Sequence, residues 1–433
     1  MQQYMLDDNQ MYAFNLIERT DSNVFIQGAA GTGKSVFVEY LRANSKKKIW
    51  CLCPTGMAAL NIKGETIHKG FRLPPVPYFE PEALKSRVMH STQRDDSIRH
   101  FDVILIDEIS MVNPNLLDAM DYLARRARKD NRPFGGMQIV IIGDLYQLPP
   151  VIQEEALHQF RRDYGQDKNS FYCFDSHAYK RAKFISVVFT KNYRQNSAEF
   201  INELDKLRNG NPDCLSYFNR QKKSNFTDSD DVITITTRKV KADAINKCFL
   251  DRLDTPQKTY IGKIVGDVPI KNLPVPTSIT LKPGALVVFC KNGGDDNTCW
   301  SNGSMGKIVE LADDYAIVYL FSSKTNVKVF REKWENITYK KNPETKEIEE
   351  CLLGTYVQLP LTLGYAITIH KAQGKTLDSV RIDLDSGAWI PGQTYTALSR
   401  ARRVEDIQLT RNIFKSDIPH HYRVNSFFSA QPQ

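Results

Sequence analysis

The stretch NVFIQGAAGTGKSVFVEYL (residues 23–41) decides the fold. An apolar run, VFI, leads straight into GAAGTGKS (28–35), and an amphipathic helical pattern comes next. The order is strand, glycine-rich turn, helix, and the match to GxxxxGK[ST] is complete. In such a turn successive backbone N–H groups and the helix N-terminus cradle phosphate oxygens. Gly28, Ala30, Gly31, Thr32 and Gly33 shape the cradle, Lys34 neutralises the β- and γ-phosphates of ATP, and Ser35 is a Mg²⁺ ligand. A glycine-rich turn without a ligand is the alternative, and the flanking strand and helix argue against it.

Working outward, short apolar runs recur: IWCLC (49–53), VILI (103–106), IVII (139–142) and FISVVF (184–189). Runs of this length between helical patterns predict strands buried on both faces of a parallel sheet. A helix is expected over 115–129, where Leu116, Leu117, Met120, Leu123 and Ala127 recur at spacings of three and four. Its other face carries Arg125, Arg126, Arg128 and Lys129, by default a solvated surface. A second set of runs, VITIT (232–236), YAITI (365–369), VRIDL (380–384) and IQL (407–409), predicts a second α/β sheet without a phosphate loop. Between its pieces, residues 257–352 show alternating strands at roughly ten-residue intervals, the texture of an inserted small β-barrel. The proline-rich LPPVPYFEP (73–81) marks a smaller insertion, at about 64–100, in the first domain.

The expected class is therefore α/β, with two RecA-like parallel-sheet domains. The first covers 1–170, the second 171–256 and 353–433, and the inserted module 257–352. At 433 residues the chain is too long for one core. Net charge is +8, which permits a polyanionic partner without requiring one. The eight cysteines lack CxxC or zinc-knuckle spacing. No apolar stretch is long enough to cross a membrane, and the N-terminus lacks signal or transit features, so a soluble intracellular protein is expected.

A phosphate loop needs carboxylates near the γ-phosphate. Asp107 and Glu108 directly follow VILI, at the same strand edge as the loop. One carboxylate can hold Mg²⁺ while the next orients and deprotonates the attacking water, giving Asp107 the metal and Glu108 the base role. Alone, such a pair is more often a helix cap and first-turn acid. The strand IVII runs into GDLYQLPP (143–150), which aims Gln147 at the γ-phosphate.

The order GAAGTGKS, CPTGMAALNI, GETIHKGF, LIDEISM, GDLYQLPP, NYRQ, LGYAITIHKAQGKTLDS and YTALSRAR resembles superfamily-one helicases. Residues 116–150 are similar to the signature of the Pif-one type in the type-B branch. The resemblance implies a DNA helicase that hydrolyses ATP with Mg²⁺ and moves 5′ to 3′ on single-stranded DNA. Forked duplexes and G-quadruplexes are the implied substrates, with a monomer when free and a bacterial cytoplasmic, nucleoid-associated setting. No long extension flanks the motifs, so a minimal helicase core is expected. The resemblance further implies that Gln10 reads adenine and that Arg194 and Arg400 are arginine fingers reaching phosphates bound by the first domain. Gly374 and Lys375 would line the same cleft, and the inserted barrel would be SH3-like.

A sequence-independent strand track needs hydroxyls, backbone donors, cations and stacking surface. The resemblance assigns Thr55, Thr66, His68 and Lys69 to it in the first domain, and Thr237, Thr368, His370 and Lys371 in the second. For either histidine alone a structural hydrogen bond is the simpler role, and no ligand spacing supports a metal. Tyr78 and Phe79 are candidates for a duplex-splitting wedge, against a plain exposed loop; Trp300, Lys291 and Lys307 are candidates for strand contact from the inserted module. The rival function is a nucleic-acid-binding ATPase switch that does not unwind.

Overall fold

The computed structural model describes residues 5–430 except 75, 81–83, 85–91, 167–169, 224–231, 269, 271–272, 292, 294–299, 301–302 and 342–347. Two compact units emerge, Met1–Tyr193 with Ile337–Leu352, and Arg194–Asn336 with Leu353–Gln433.

The first unit is built on β1 (Val24–Gly28), β2 (Ile49–Cys53), β3 (Glu65–Thr66), β4 (Val103–Ile106), β5 (Gln138–Gly143) and β6 (Ile185–Phe189). They form one sheet in the order β3-β2-β4-β5-β1-β6, and every pairing is parallel. β1, β4 and β5 are buried at every position, which is why their sequences read as unbroken apolar runs. Phe37 and Leu41 of the helix Lys34–Asn44 pack with Val24, Ile26, Val140 and Val187 in the core. Each such side chain contributes about 1.5–3 kcal/mol on full burial. Cys51 and Cys53 lie in the same core as free thiols.

β6 corrects the expected boundary at 170. Its register with β1 (Val24 opposite Ile185, Gly28 opposite Phe189) makes it the edge of the first sheet, so residues 171–193 belong to the first unit. An apolar run shows that a strand exists but not which sheet adopts it.

The second unit holds a parallel sheet of β7 (Ile233–Thr236), β18 (Ala366–Thr368), β19 (Val380–Asp383) and β20 (Ile407–Leu409), ordered β18-β7-β19-β20. Between β7 and β18 runs an antiparallel module of β8 (Lys258–Ile261), β9 (Lys263–Gly266), β10 (Ser278–Leu281), β11 (Leu286–Phe289), β12 (Met305–Leu311), β13 (Tyr315–Leu320), β14 (Thr325–Phe330), β15 (Glu332–Lys341), β16 (Ile348–Gln358) and β17 (Leu361–Leu363). Among the described residues these strands divide into three sheets, β14-β13-β12-β11-β17, β10-β8 and β15-β16-β9. One core that includes Tyr260, Val287, Phe289, Val318 and Tyr356 serves them all. Because β17 pairs with β11, the module runs past the expected limit of 352 to Leu363.

Candidate nucleotide site and nucleic-acid track

The loop 28–35 leaves the end of β1, and its shape depends on glycine. A Cβ on Gly28 would lie 2.3 Å from the Thr32 hydroxyl, while Gly31 and Gly33 have φ of 88° and 78°. Gly33 precedes the helix Lys34–Asn44 with no side-chain cap, so the first-turn amides are left for an anion. The Lys34 amine donates to the carbonyl oxygens of Gly28 (2.8 Å) and Ala29 (2.9 Å), and Ser35 is exposed at the helix start. The Thr32 hydroxyl donates to Ala29 O at 2.9 Å. Gln10 is held in a capping box with Asp7, and its Nε2 lies 2.9 Å from where a Gly33 Cβ would sit. The amide expected to read a base thus borders the phosphate loop.

β4, β5 and β1 are neighbours, so the segments leaving their C-terminal ends converge. Asp107 is 7% exposed. Burial, and secondly the adjacent Glu108 charge, push its carboxyl up, while the Glu108 amide (2.8 Å) and the Lys34 charge act the other way. Glu108 sits at φ 53°, ψ 45°, a left-handed conformation costing a non-glycine residue about 1–3 kcal/mol. Gly143, ending β5, has room only for hydrogen, since a Cβ there would be 2.9 Å from Ile109 Cγ2. Gln147 comes next, in a turn closed by its amide on Asp144 O (3.0 Å). Its side chain is 5% exposed, and its Oε1 has no hydrogen-bond partner among the described residues. A buried side-chain acceptor without a partner calls for an explanation.

In the second unit, Arg194 and Arg400 meet at Ser399. Arg194 Nη1 donates to Ser399 O (3.0 Å), and Gln195 Nε2 donates to Ser399 O and Ala401 O. Arg400 is 1% exposed; its guanidinium donates to Thr396 O (2.8 Å), Lys375 O (3.2 Å) and the Ser399 hydroxyl (2.8 Å). Gly374 supplies a φ of 78° just before the buried Lys375. The structure thus joins Arg194 and Arg400 through Ser399 and ties Arg400 to the Lys375 backbone.

The eight residues expected to form a strand track fall into two matching stations. In the first unit, Thr66 ends β3 and caps the one-turn helix Ile67–Gly70, its hydroxyl accepting from Lys69 N at 3.3 Å. In the second, Thr368 ends β18 and caps Ile369–Ala372, accepting from Lys371 N at 3.3 Å. The cap angles agree, φ −74° and ψ 149° against −78° and 156°. Thr55 lies just past β2 beside β3, and Thr237 just past β7 beside β18. Burial lowers the pKa of both His68 and His370, so each is neutral near pH 7 and offers hydrogen bonds rather than charge. Lys69 lies 3.8 Å from Glu65.

Several expected roles change. The arginine face of the helix Pro114–Arg128 is not merely solvated. Arg125 pairs with Asp121 (2.9 Å), Arg126 donates to Leu84 O (3.1 Å), and Arg128 donates to the carbonyls of Ile98 and Phe101. Asn115 of this helix clamps the Phe79 backbone at both polar atoms, accepting from N (2.7 Å) and donating to O (3.1 Å). Phe79 is buried near the His68 ring, and Tyr78 packs on Phe160 and bonds Asp163. Both candidate wedge residues are therefore anchors of the insertion, of which 75, 81–83 and 85–91 lie outside the described residues. Trp300 is 8% exposed against Phe289, a core residue rather than a DNA contact. Lys291 is spent on Glu332 (2.8 Å) and Lys333 O, and Lys307 is half-buried in β12. Tyr193 lies within NYRQ but was given no role there: its half-exposed ring borders Gly33, its amide donates to Gly31 O (2.8 Å), and its hydroxyl donates to Asp7 (2.9 Å). Partners 186 residues apart leave no local signal.

Comparison with known proteins gives a consistent picture. A family model described as PIF1-like helicase matches residues 5–215. The ATP-dependent DNA helicase Pif1 of Bdellovibrio bacteriovorus is 30% identical, over 93% of this chain and 87% of its own. Crystal structures of Bacteroides Pif1 superpose over 99% of this chain and 97% of theirs. With ADP-AlF4 bound the TM-score is 0.89 at 32% identity, and with single-stranded DNA bound it is 0.71 at 33%.

Proposed function

Because the chain belongs to the PIF1-like helicase family, we propose that its two units form an ATP-dependent DNA helicase that moves 5′ to 3′ along single-stranded DNA. ATP-dependent unwinding of DNA is the activity of the family, and the observation that carries it here is the convergence of GAAGTGKS, Asp107–Glu108 and the unsatisfied Gln147 at the ends of adjacent strands. In the proposed cycle the phosphates take the uncapped amides of the helix Lys34–Asn44. Lys34 exchanges two carbonyls for phosphate oxygens, Glu108 takes the proton of the attacking water, and Gln147 holds that water or the γ-phosphate. Arg194 and Arg400 supply further positive charge, Gln10 the base contact, and Gly374 and Lys375 the lining.

The Ser35 hydroxyl and the Asp107 carboxylate are hard oxygen donors that fit Mg²⁺, and these two residues would hold it. Bound there, it would supply positive charge that offsets the negative charge of the phosphates. Among the described residues no three-ligand His/Cys/Asp/Glu group exists for a protein-caged metal.

The two Thr-His-Lys stations are proposed to grip the strand in alternation, with Thr55 and Thr237 beside them. Forks and G-quadruplexes are the proposed substrates, an SH3-like role is proposed for the inserted module, and a free monomer in a bacterial nucleoid setting is proposed. Among the described residues no helix is long and apolar enough to cross a membrane. The test of direction is strand separation on duplexes bearing only a 5′ or only a 3′ tail. Unwinding confined to the 5′ tail is expected; preference for the 3′ tail overturns the proposed polarity.

A further inference from the structure

Four tryptophans occur in the chain, and three are buried: Trp50 is 1%, Trp300 8% and Trp334 6% exposed. Trp389 is 51% exposed. Exposing half an indole forgoes a large hydrophobic gain, so its position calls for a reason. The loop that carries it leaves the C-terminal end of β19, and β19 pairs with β7 so that Asp383 lies opposite Thr236. That end of β7 continues into Thr237 and Arg238.

The loop is held firmly. Ala388 N donates to Asp417 (3.1 Å), and the amides of Trp389 and Ile390 both donate to Gln393 Oε1 (3.0 and 3.2 Å). The Arg238 guanidinium lies 5.2 Å from the Trp389 ring centroid and donates to Ser386 Oγ at 3.2 Å. Asp385, the nearest acid, is 3.1 Å from Lys241 and 3.9 Å from Arg238, and Lys241 also meets Asp383 at 2.9 Å. Arg238 keeps a side chain that is 56% exposed. Thr237 is 7% exposed, and its hydroxyl has no partner among the described residues.

A buried unsatisfied hydroxyl, an exposed guanidinium and a pinned, half-open indole thus lie past the C-terminal ends of two neighbouring strands, β7 and β19. Hydroxyl and guanidinium suit a phosphate, and an indole face suits any base. A tryptophan serving only as cover for Arg238 would need no open face. We propose that Trp389 is a stacking platform for a base of single-stranded DNA, with Thr237 and Arg238 on the neighbouring phosphate. The inference rests on the DNA-binding reading above and adds to it a residue outside the helicase motifs that carried it.

The experiment is a fluorescence titration of the full chain with oligodeoxythymidine. Because the other three tryptophans are buried, quenching by the oligonucleotide should be strong in the wild type and largely lost in Trp389→Phe. Trp389→Ala should weaken binding about 5- to 100-fold, with Trp389→Phe close to wild type. The gap between wild type and Trp389→Ala should narrow on an oligonucleotide of abasic sites. Equal affinity of Trp389→Ala, or DNA quenching that persists in Trp389→Phe, overturns the platform while leaving the helicase reading intact. A wild-type chain that fails to bind oligodeoxythymidine overturns both.

Discussion

Glu108 holds a backbone conformation that its side chain disfavours, and the strain falls where the chemistry is expected. Its φ of 53° turns the chain sharply off β4 into the turn Ile109–Met111, against which Gly143 packs without a Cβ. That strain supports a directional role for the side chain, since a plain cap needs no left-handed residue. Glu108→Gln keeps the shape and removes the base. ATP and DNA binding should survive while turnover falls about 10²–10⁴-fold, measured by nucleotide-binding fluorescence beside steady-state hydrolysis. Loss of nucleotide affinity would instead make Glu108 a structural residue. Arg400 shows the limit of reading single residues. Its motif implies a finger, yet here its guanidinium is buried on Thr396, Lys375 and Ser399.

Among the elements, the helix Pro114–Arg128 carries the clearest new role. Asn113 caps it (Leu116 N to Oδ1, 2.8 Å), its apolar stripe is buried, and its polar face secures the insertion through Asn115, Arg126 and Arg128. Asn115→Ala leaves both polar atoms of Phe79 buried and unpaired. Stability should fall by about 2–3 kcal/mol, read from denaturant unfolding; an unchanged midpoint would show that the clamp carries no weight. The helix itself was legible from its three-and-four spacing, and so were β1, β4 and β5, because burial on both faces leaves unbroken apolar runs. β6 also reads as an apolar run, yet as an edge strand it leaves Ile185 and Val188 exposed, against the expected two-sided burial. The duties of Arg126 and Arg128 were not, since they end on carbonyls 27 to 42 residues away. The boundary at 170 failed for a related reason: ISVVF fits either sheet, and only its register with Val24–Gly28 assigns it. The segments that carry Lys34, Asp107, Glu108 and Gln147 were legible as neighbours, because the adjacent parallel strands β4, β5 and β1 bring their C-terminal ends to one edge.

At the scale of the whole molecule, each unit carries a parallel sheet whose C-terminal edge presents a threonine-capped turn with His and Lys in the same places. The first unit adds the phosphate loop; the second adds Arg194 and Arg400. A net charge of +8 suits a polyanionic track, though steering of that kind weakens as salt rises. The central claim is that hydrolysis at the loop is harnessed to a single strand of DNA. ATP turnover measured with and without single-stranded DNA, for the wild type beside Lys34→Ala, tests it most directly. The account predicts strong stimulation of the wild type by DNA and no turnover by Lys34→Ala under either condition. A wild-type rate indifferent to DNA, or near-normal turnover without the lysine, would contradict it.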